Sequence, residues 1–181
     1  FTSLMIASLF IVATNIIKFI KKFSKITVRS ACKQAGVNEH NFWGERVKQE
    51  KVKATFFVLG SNVDYRKEMV KRMYDEGHYV ANHGYSHVYS KIYSSKEAVL
   101  EEYNQANEKI RHAIENPEYN SHLFRFPGGS TGGKYSKIKA EARQHFELNG
   151  IAYTNWNCLT GDAEGKKTKE DCITEFISTK E

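Results

Sequence analysis

Gly77-His78-Tyr79-Val80-Ala81-Asn82-His83-Gly84-Tyr85-Ser86-His87 reads as a helix stop, a short strand, and then two histidines four residues apart. Neutral imidazole is a common metal ligand. Two of them delivered where a strand ends make a plausible half of a metal site. The spacing alone is a weak signal in a chain with 7 histidines, where solvated or core histidines are the ordinary case. What lies on either side of the stretch gives it weight.

Upstream, Val52-Lys53-Ala54-Thr55-Phe56-Phe57-Val58-Leu59 is an almost continuous apolar, aromatic and β-branched run closed by Gly60, the pattern of a buried strand. Residues 64–76 then carry Tyr65, Met69, Val70, Met73 and Tyr74 at helical spacing, with Gly77 as the stop. Downstream, Ser94-Ser95-Lys96-Glu97 has the form of a capping box. It opens a helix with Val99, Leu100, Tyr103, Ala106, Ile110 and Ile114 on one stripe, and Pro117 lies just beyond. Leu123-Phe124-Arg125-Phe126 is a third strand running into Pro127-Gly128-Gly129. A helix over about 135–148 follows with Gly150 after it, then a fourth strand over Ile151–Trp156. Thr168 is placed to cap a last helix around 169–178.

Strands alternating with helices predict a parallel sheet with helices outside it. In such folds the chemistry gathers beyond the C-terminal ends of the strands. Three polar segments sit there: His83 to His87, Arg125 to Gly129, and Asn155 to Asp162. The glycines after Arg125 permit close backbone approach, and their N–H groups are suited to an oxyanion.

The rest of the chain sets bounds. At 181 residues it is one domain's worth, and 40% hydrophobic content supplies a core. The net charge of +6 is spread over the chain, apart from Lys18, Lys21, Lys22 and Lys25, with no basic-aromatic stripe of the kind nucleic-acid binders use. Nucleic acid is therefore not an expected partner. Cys32, Cys158 and Cys172 form no CxxC spacing, so neither a disulfide framework nor a zinc knuckle is indicated. Residues 1–20 are apolar up to Lys18 and near the lower length limit of a membrane span; they read as a membrane anchor or export segment, or else as a buried or amphipathic helix. The lysines that follow would favour a cytoplasmic side there. Residues 21–51 form a poorly defined N-terminal segment with no sustained period, and regular patterning occupies 52–181.

Taken in order, Ala54-Thr55-Phe56-Phe57-Val58-Leu59-Gly60, Gly77-His78 through Asn82-His83-Gly84-Tyr85-Ser86-His87, Phe124-Arg125-Phe126-Pro127-Gly128-Gly129-Ser130, and Tyr153 through Asn155-Trp156-Asn157 to Gly161-Asp162-Ala163 resemble the polysaccharide deacetylase family, carbohydrate esterase family 4, with its NodB-like fold. Four ordered segments are far more specific than one HxxxH. The likeness is to bacterial deacetylases of peptidoglycan and related N-acetylglucosamine polymers. It implies an α/β fold, a deformed (β/α) barrel, here incomplete. It also implies hydrolysis of N-acetyl groups with a divalent metal, zinc in most of the family. By position, His83 and His87 are the metal-binding histidines. The resemblance further implies that Arg125 would orient a base aspartate, that the Gly128 N–H would hold the oxyanion, and that Pro127 and Trp156 would line the sugar groove. The partner implied is a glycan, peptidoglycan or a chitin-like oligomer, and the place of action is extracellular or in the cell envelope.

The chain also departs from the family pattern. The first family motif, Thr-Phe-Asp-Asp-Gly, supplies the base and an aspartate ligand upstream of Ala54, yet no Asp precedes Asp64. The last motif, a Leu-x-His that supplies the acid, would follow residue 178, and no His follows His145, so the domain at 52–181 reads as cut short at its C-terminal side. Asn155 stands where the family has an Asp beside the arginine, and Gly84 replaces a Ser or Thr. Glu39, Glu45 and Asp64 are the carboxylates available as a third ligand. Two functions remain open: an impaired metal-dependent deacetylase, and a catalytically inactive glycan-binding relative. Among single residues, His78 is expected solvated at a helix end, and His112 and His122 are expected on the surface. Arg125 is either a site residue or an ordinary ion-pair partner, and Trp156 either groove or core.

Overall fold

The computed structural model describes residues 5–6, 53–155 and 168–179. The chain divides into two compact units, one of Phe1–Leu9 with Ala54–Asn155 and one of Phe10–Lys53 with Trp156–Glu181. The first unit runs β1 (Met5–Ile6), β2 (Thr55–Val58), α1 (Gly60–Val63), a 3-10 turn (Asp64–Arg66), α2 (Lys67–Asp75), β3 (Tyr79–Asn82), α3 (Tyr89–Ile92), α4 (Lys96–Ile114), β4 (Leu123–Phe124), α5 (Ser136–Leu148) and β5 (Ala152–Tyr153). The second contributes α6 (Lys169–Thr179). The sheet order is β1-β2-β3-β4-β5. Strands β2 to β5 are parallel neighbours, with Phe56 opposite Val80, Asn82 opposite Phe124 and Phe124 opposite Tyr153. The edge strand β1 is antiparallel to β2.

This is the expected parallel sheet with helical crossovers, and successive residues of a strand covered on both faces must all be apolar. Phe56, Phe57 and Val58 are indeed all buried. Between the sheet and helices α4 and α5 lies an aromatic cluster of Tyr103, Phe124, Phe126 and Phe146, in which Phe124 packs edge to face on Phe126 at 4.9 Å and on Phe146 at 5.0 Å. Ring pairs in that range add to the area term.

Two helix ends aim the strands that carry the site. At the end of α2, Gly77 adopts φ 75°, its N–H donates to the Tyr74 carbonyl, and the His78 N–H donates to that of Met73. At the end of α5, Gly150 adopts φ 66°, and the Gly150 and Ile151 N–H groups donate to Glu147 and Phe146. Both are Schellman closures, in which a left-handed glycine satisfies two terminal carbonyls and turns the chain back. In each case the next residues are a strand, β3 and β5.

Some expectations are corrected. The helix read over 64–76 is interrupted by the 3-10 turn at Asp64–Arg66, which puts Tyr65 out of phase and leaves it 82% exposed rather than on the core stripe. The cap of α4 is Ser95, whose side chain accepts from the Ala98 N–H, while Ser94 Oγ donates to the Lys91 carbonyl of α3. The box therefore lies one residue later than Ser94–Glu97 and has no glutamate at its third helical position. His78 is buried, because the Schellman turn folds it back over β2. Its Nδ1 accepts the Ala54 N–H at 3.2 Å and its ring stands edge-on to Phe56. His112 and His122 are exposed or nearly so, as expected. Thr168 caps α6, its Oγ1 accepting from the Asp171 N–H while Asp171 Oδ2 accepts from the Thr168 N–H.

Of the segment 1–20, the described residues are those of β1; the rest of the anchor expectation, the segment 21–51 and Trp156 lie outside the described residues. No helix among the described residues is long and apolar enough to cross a membrane.

Candidate active site

The two histidines leave the C-terminal end of β3. Asn82, the last residue of that strand, is buried and anchors it: its Nδ2 donates to the Tyr103 carbonyl at 2.8 Å and to Asn107 Oδ1 at 3.1 Å, and its Oδ1 accepts the Gly84 N–H at 2.8 Å. The last contact is an Asx turn, in which a side-chain oxygen replaces a backbone turn acceptor. The chain then reverses through Gly84 at φ 80°. Left-handed backbone disfavours side chains with a Cβ, which is a local reason for glycine at this position.

His83 is fully buried, and its Nδ1 lies 2.7 Å from the Arg125 carbonyl oxygen. Only an N–H can satisfy a carbonyl, so the proton resides on Nδ1 and the lone pair on Nε2. His87 follows at φ 57°, a left-handed backbone for a side chain with a Cβ, and its ring centroid lies 5.1 Å from that of His83. Burial lowers the His83 pKa to about 3 despite the hydrogen bond to Arg125. Burial also lowers that of His87, with the charge of Glu102 acting in the opposite sense. Both rings are thus neutral near pH 7, and both Nε2 atoms are buried with no hydrogen-bond partner among the described residues.

The second segment leaves β4 beside them. The Arg125 N–H donates to the Asn82 carbonyl, so the two strand ends are in register. The Arg125 side chain is fully buried, its guanidinium carbon 4.0 Å from the centre of the Phe57 ring, and Nη2 donates to the Asn155 carbonyl at 3.4 Å. Burial brings its pKa down to about 10, which still leaves it charged at neutral pH. Arg125 is therefore a buried residue rather than an exposed one at the edge of the sheet. The Pro127–Gly129 turn is held from below: Tyr93 donates its hydroxyl to the Pro127 carbonyl at 2.6 Å and Lys139 Nζ donates to the Gly128 carbonyl at 3.3 Å. Gly128 and Gly129 adopt φ 70° and 81°, and the Gly129 N–H donates to Phe126. A Cβ on Gly128 would come within 2.7 Å of the Tyr89 hydroxyl and displace that partly exposed side chain, so the left-handed backbone is the stronger reason for glycine there. Tyr89, 42% exposed, also stands edge-on to His87 at 5.6 Å.

The third segment arrives at the end of β5. Asn155 Oδ1 accepts the Ser130 N–H at 2.9 Å and Asn155 Nδ2 donates to Ser130 Oγ at 2.8 Å, clipping the Arg125–Ser130 turn. Thus His83, His87, Arg125, Pro127, Gly128 and Asn155 converge at the strand ends. The sequence reading missed Tyr89, Tyr93, Lys139 and Glu102 in this neighbourhood. No local pattern in the sequence marks them out.

The donor set fits a divalent metal in part. Two neutral imidazoles with open Nε2 atoms are ordinary zinc donors, but a catalytic zinc site normally has three protein ligands. Among the described residues, no group of three or more His, Cys, Asp or Glu is placed to hold a metal ion. Asp64 forms no such group with the two histidines and is paired with Lys109. Glu39 and Glu45 lie outside the described residues.

Residues 45–148 match the family model for polysaccharide deacetylase. A peptidoglycan-N-acetylglucosamine deacetylase of Bacillus cereus is 46% identical over 55 residues, 30% of this chain and 20% of that protein. The peptidoglycan-N-acetylglucosamine deacetylase PgdA of Listeria monocytogenes is 38% identical over 68 residues, 32% of this chain and 15% of that protein. The catalytic domain of a peptidoglycan N-acetylglucosamine deacetylase from Eubacterium rectale superposes with a TM-score of 0.64 at 32% identity, over 74% of this chain and 61% of that one. The chain thus spans less than two thirds of the length of each. Its parallel sheet and flanking helices form part of the α/β barrel of these enzymes, and the chain belongs to the polysaccharide deacetylase family.

Proposed function

We propose that this chain carries the central part of a metal-dependent N-deacetylase site for N-acetylglucosamine-containing glycan, with peptidoglycan the favoured polymer and the cell envelope its place of action. The observation that carries the reading is the pair of buried, unpartnered Nε2 atoms of His83 and His87 set beside the Arg125–Gly129 turn. His83 and His87 would hold the metal, a divalent ion such as zinc, which when bound polarises an acetamide carbonyl and acidifies water. The Arg125 carbonyl keeps the His83 proton on Nδ1. The Arg125 guanidinium supplies positive charge beneath the site, where burial makes it act strongly. The Gly128 N–H, on a turn pinned by Tyr93, Lys139 and Asn155, is the group for the oxyanion, and such preorganised donors contribute most where they need not rearrange. Hydrolysis would break the C–N bond of the acetamide, releasing acetate and leaving a glucosamine amine.

Activity of the chain as written is expected to be low. Asn155 stands where the family resemblance implies an aspartate beside the arginine, and its amide is engaged with Ser130. The same observation favours a second reading, a catalytically inactive relative that binds glycan. Acetate release from N-acetylglucosamine oligomers, measured with zinc-loaded protein and with His83→Ala and His87→Ala, separates the two. Release abolished in both variants supports the enzyme. No release, with calorimetric binding of the oligomer retained, supports the binder. No release and no binding overturns both.

A further inference from the structure

Helix α4 is a long amphipathic helix, yet a carboxylate in its middle faces inward. Glu102 is only 3% exposed. Its Oε2 accepts the N–H groups of Tyr85 at 2.8 Å and Ser86 at 2.6 Å, and its Oε1 accepts the Ser86 hydroxyl at 2.6 Å. Ser86 Oγ accepts in turn from the Val88 N–H at 3.2 Å. The histidine loop is therefore wrapped around one carboxylate. Its backbone needs such an anchor, because it passes through left-handed conformations at Gly84 and again at His87, where a side chain with a Cβ is disfavoured by about 1–2 kcal/mol. The two imidazoles are also held differently. His83 is oriented through its own ring by the Arg125 carbonyl, whereas His87 is placed by the loop that carries it.

We propose that Glu102 is a positioning residue for the metal-ligand pair: it clamps residues 85–88 and so sets where the His87 imidazole stands relative to that of His83. The proposal rests on the reading of the two histidines as ligands, and it assigns Glu102 no contact with metal or substrate. Short, charge-assisted bonds to a buried carboxylate are about twice as strong as neutral ones. Loss of an outer partner of this kind typically weakens metal binding by about 10–100-fold.

The test uses the full chain, as wild type, Glu102→Gln, Glu102→Ala and Ser86→Ala. Cobalt(II) binding is followed by its absorption spectrum, and amide hydrogen exchange is measured without metal. In Glu102→Ala, which removes both acceptor oxygens, cobalt affinity is expected to fall by about 10–100-fold, and by less in Glu102→Gln, whose amide oxygen can still accept the two N–H groups. The Tyr85 and Ser86 amides should lose protection while those of β2, β3 and α4 keep theirs. Ser86→Ala retains the carboxylate and both N–H bonds and should give a smaller loss, which keeps the test open if either Glu102 variant fails to fold. Unchanged cobalt affinity in a folded Glu102→Ala protein, or loop amides that stay protected in it, overturns the clamp. If the wild type binds no cobalt, the ligand reading fails and exchange alone decides the clamp: protection lost only at the loop upholds it, and protection retained overturns it.

Discussion

His83 shows how a buried titratable ring ties stability to pH. Its pKa in the folded protein is lowered to about 3, chiefly by burial, against an ordinary histidine value of 6.5. The unfolded chain therefore takes up the proton first as pH falls. The stabilisation is complete above 6.5 and is lost progressively as pH drops from there towards 3. In the metal-free protein this one group should lower unfolding stability by up to about 2 kcal/mol between pH 7.5 and pH 5. Urea unfolding at the two pH values measures it. His83→Gln should flatten the difference, and an unchanged slope in that variant would mean that another group dominates. The neutrality that makes stability acid-sensitive is the same property that leaves the Nε2 lone pair free for a metal.

At the scale of elements, the caps decide where the chain turns towards the site. Ser95 begins α4 by accepting the Ala98 N–H, and α4 carries Asn107 and Glu102 to the two ends of the histidine loop. Ser95→Ala should cost about 1 kcal/mol, the usual loss for a removed N-cap. Ser94→Ala removes only a bond to an exposed carbonyl and should stay within about 0.5 kcal/mol. Thermal unfolding of the two variants separates the observed register of the cap from the one read off the sequence. A larger loss in Ser94→Ala would reverse that assignment. The exposed Tyr65 has the same kind of cause: a few residues of 3-10 geometry between α1 and α2 rotate the following stripe, and apolar spacing carries no mark of such a break.

For the first unit as a whole, the aromatic cluster between the sheet and helices α4 and α5 is the part most costly to disturb. Phe146 is fully buried and packs on Tyr103, Phe124 and Phe126. Phe146→Ala should destabilise by about 3–5 kcal/mol, a large share of the roughly 5–15 kcal/mol that holds a domain together. Chemical denaturation would show this as a drop in midpoint with little change in slope. A loss under 1 kcal/mol would mean that the cavity collapses and the cluster is not the organising core. Phe124 and Phe126 flank Arg125, so the same variant should also loosen the Arg125–Ser130 turn.

The alternation of strand and helix, the stops at Gly77 and Gly150, and the delivery of His83, His87 and Arg125 at strand ends were all legible in the sequence. Each follows from residues that are neighbours along the chain, through hydrophobic period, β-branching or a glycine at a helix end. The burial of His78 and Glu102, the anchoring of Asn82 and the clip of Asn155 on Ser130 were decided by the tertiary structure. Their partners are distant in sequence, 42 residues from His83 to Arg125 and 16 from Ser86 to Glu102. A buried polar group is tolerated only where the packed chain supplies its hydrogen bonds. Local pattern can therefore name the candidate residues of a site, but only the packed fold shows what holds them in place.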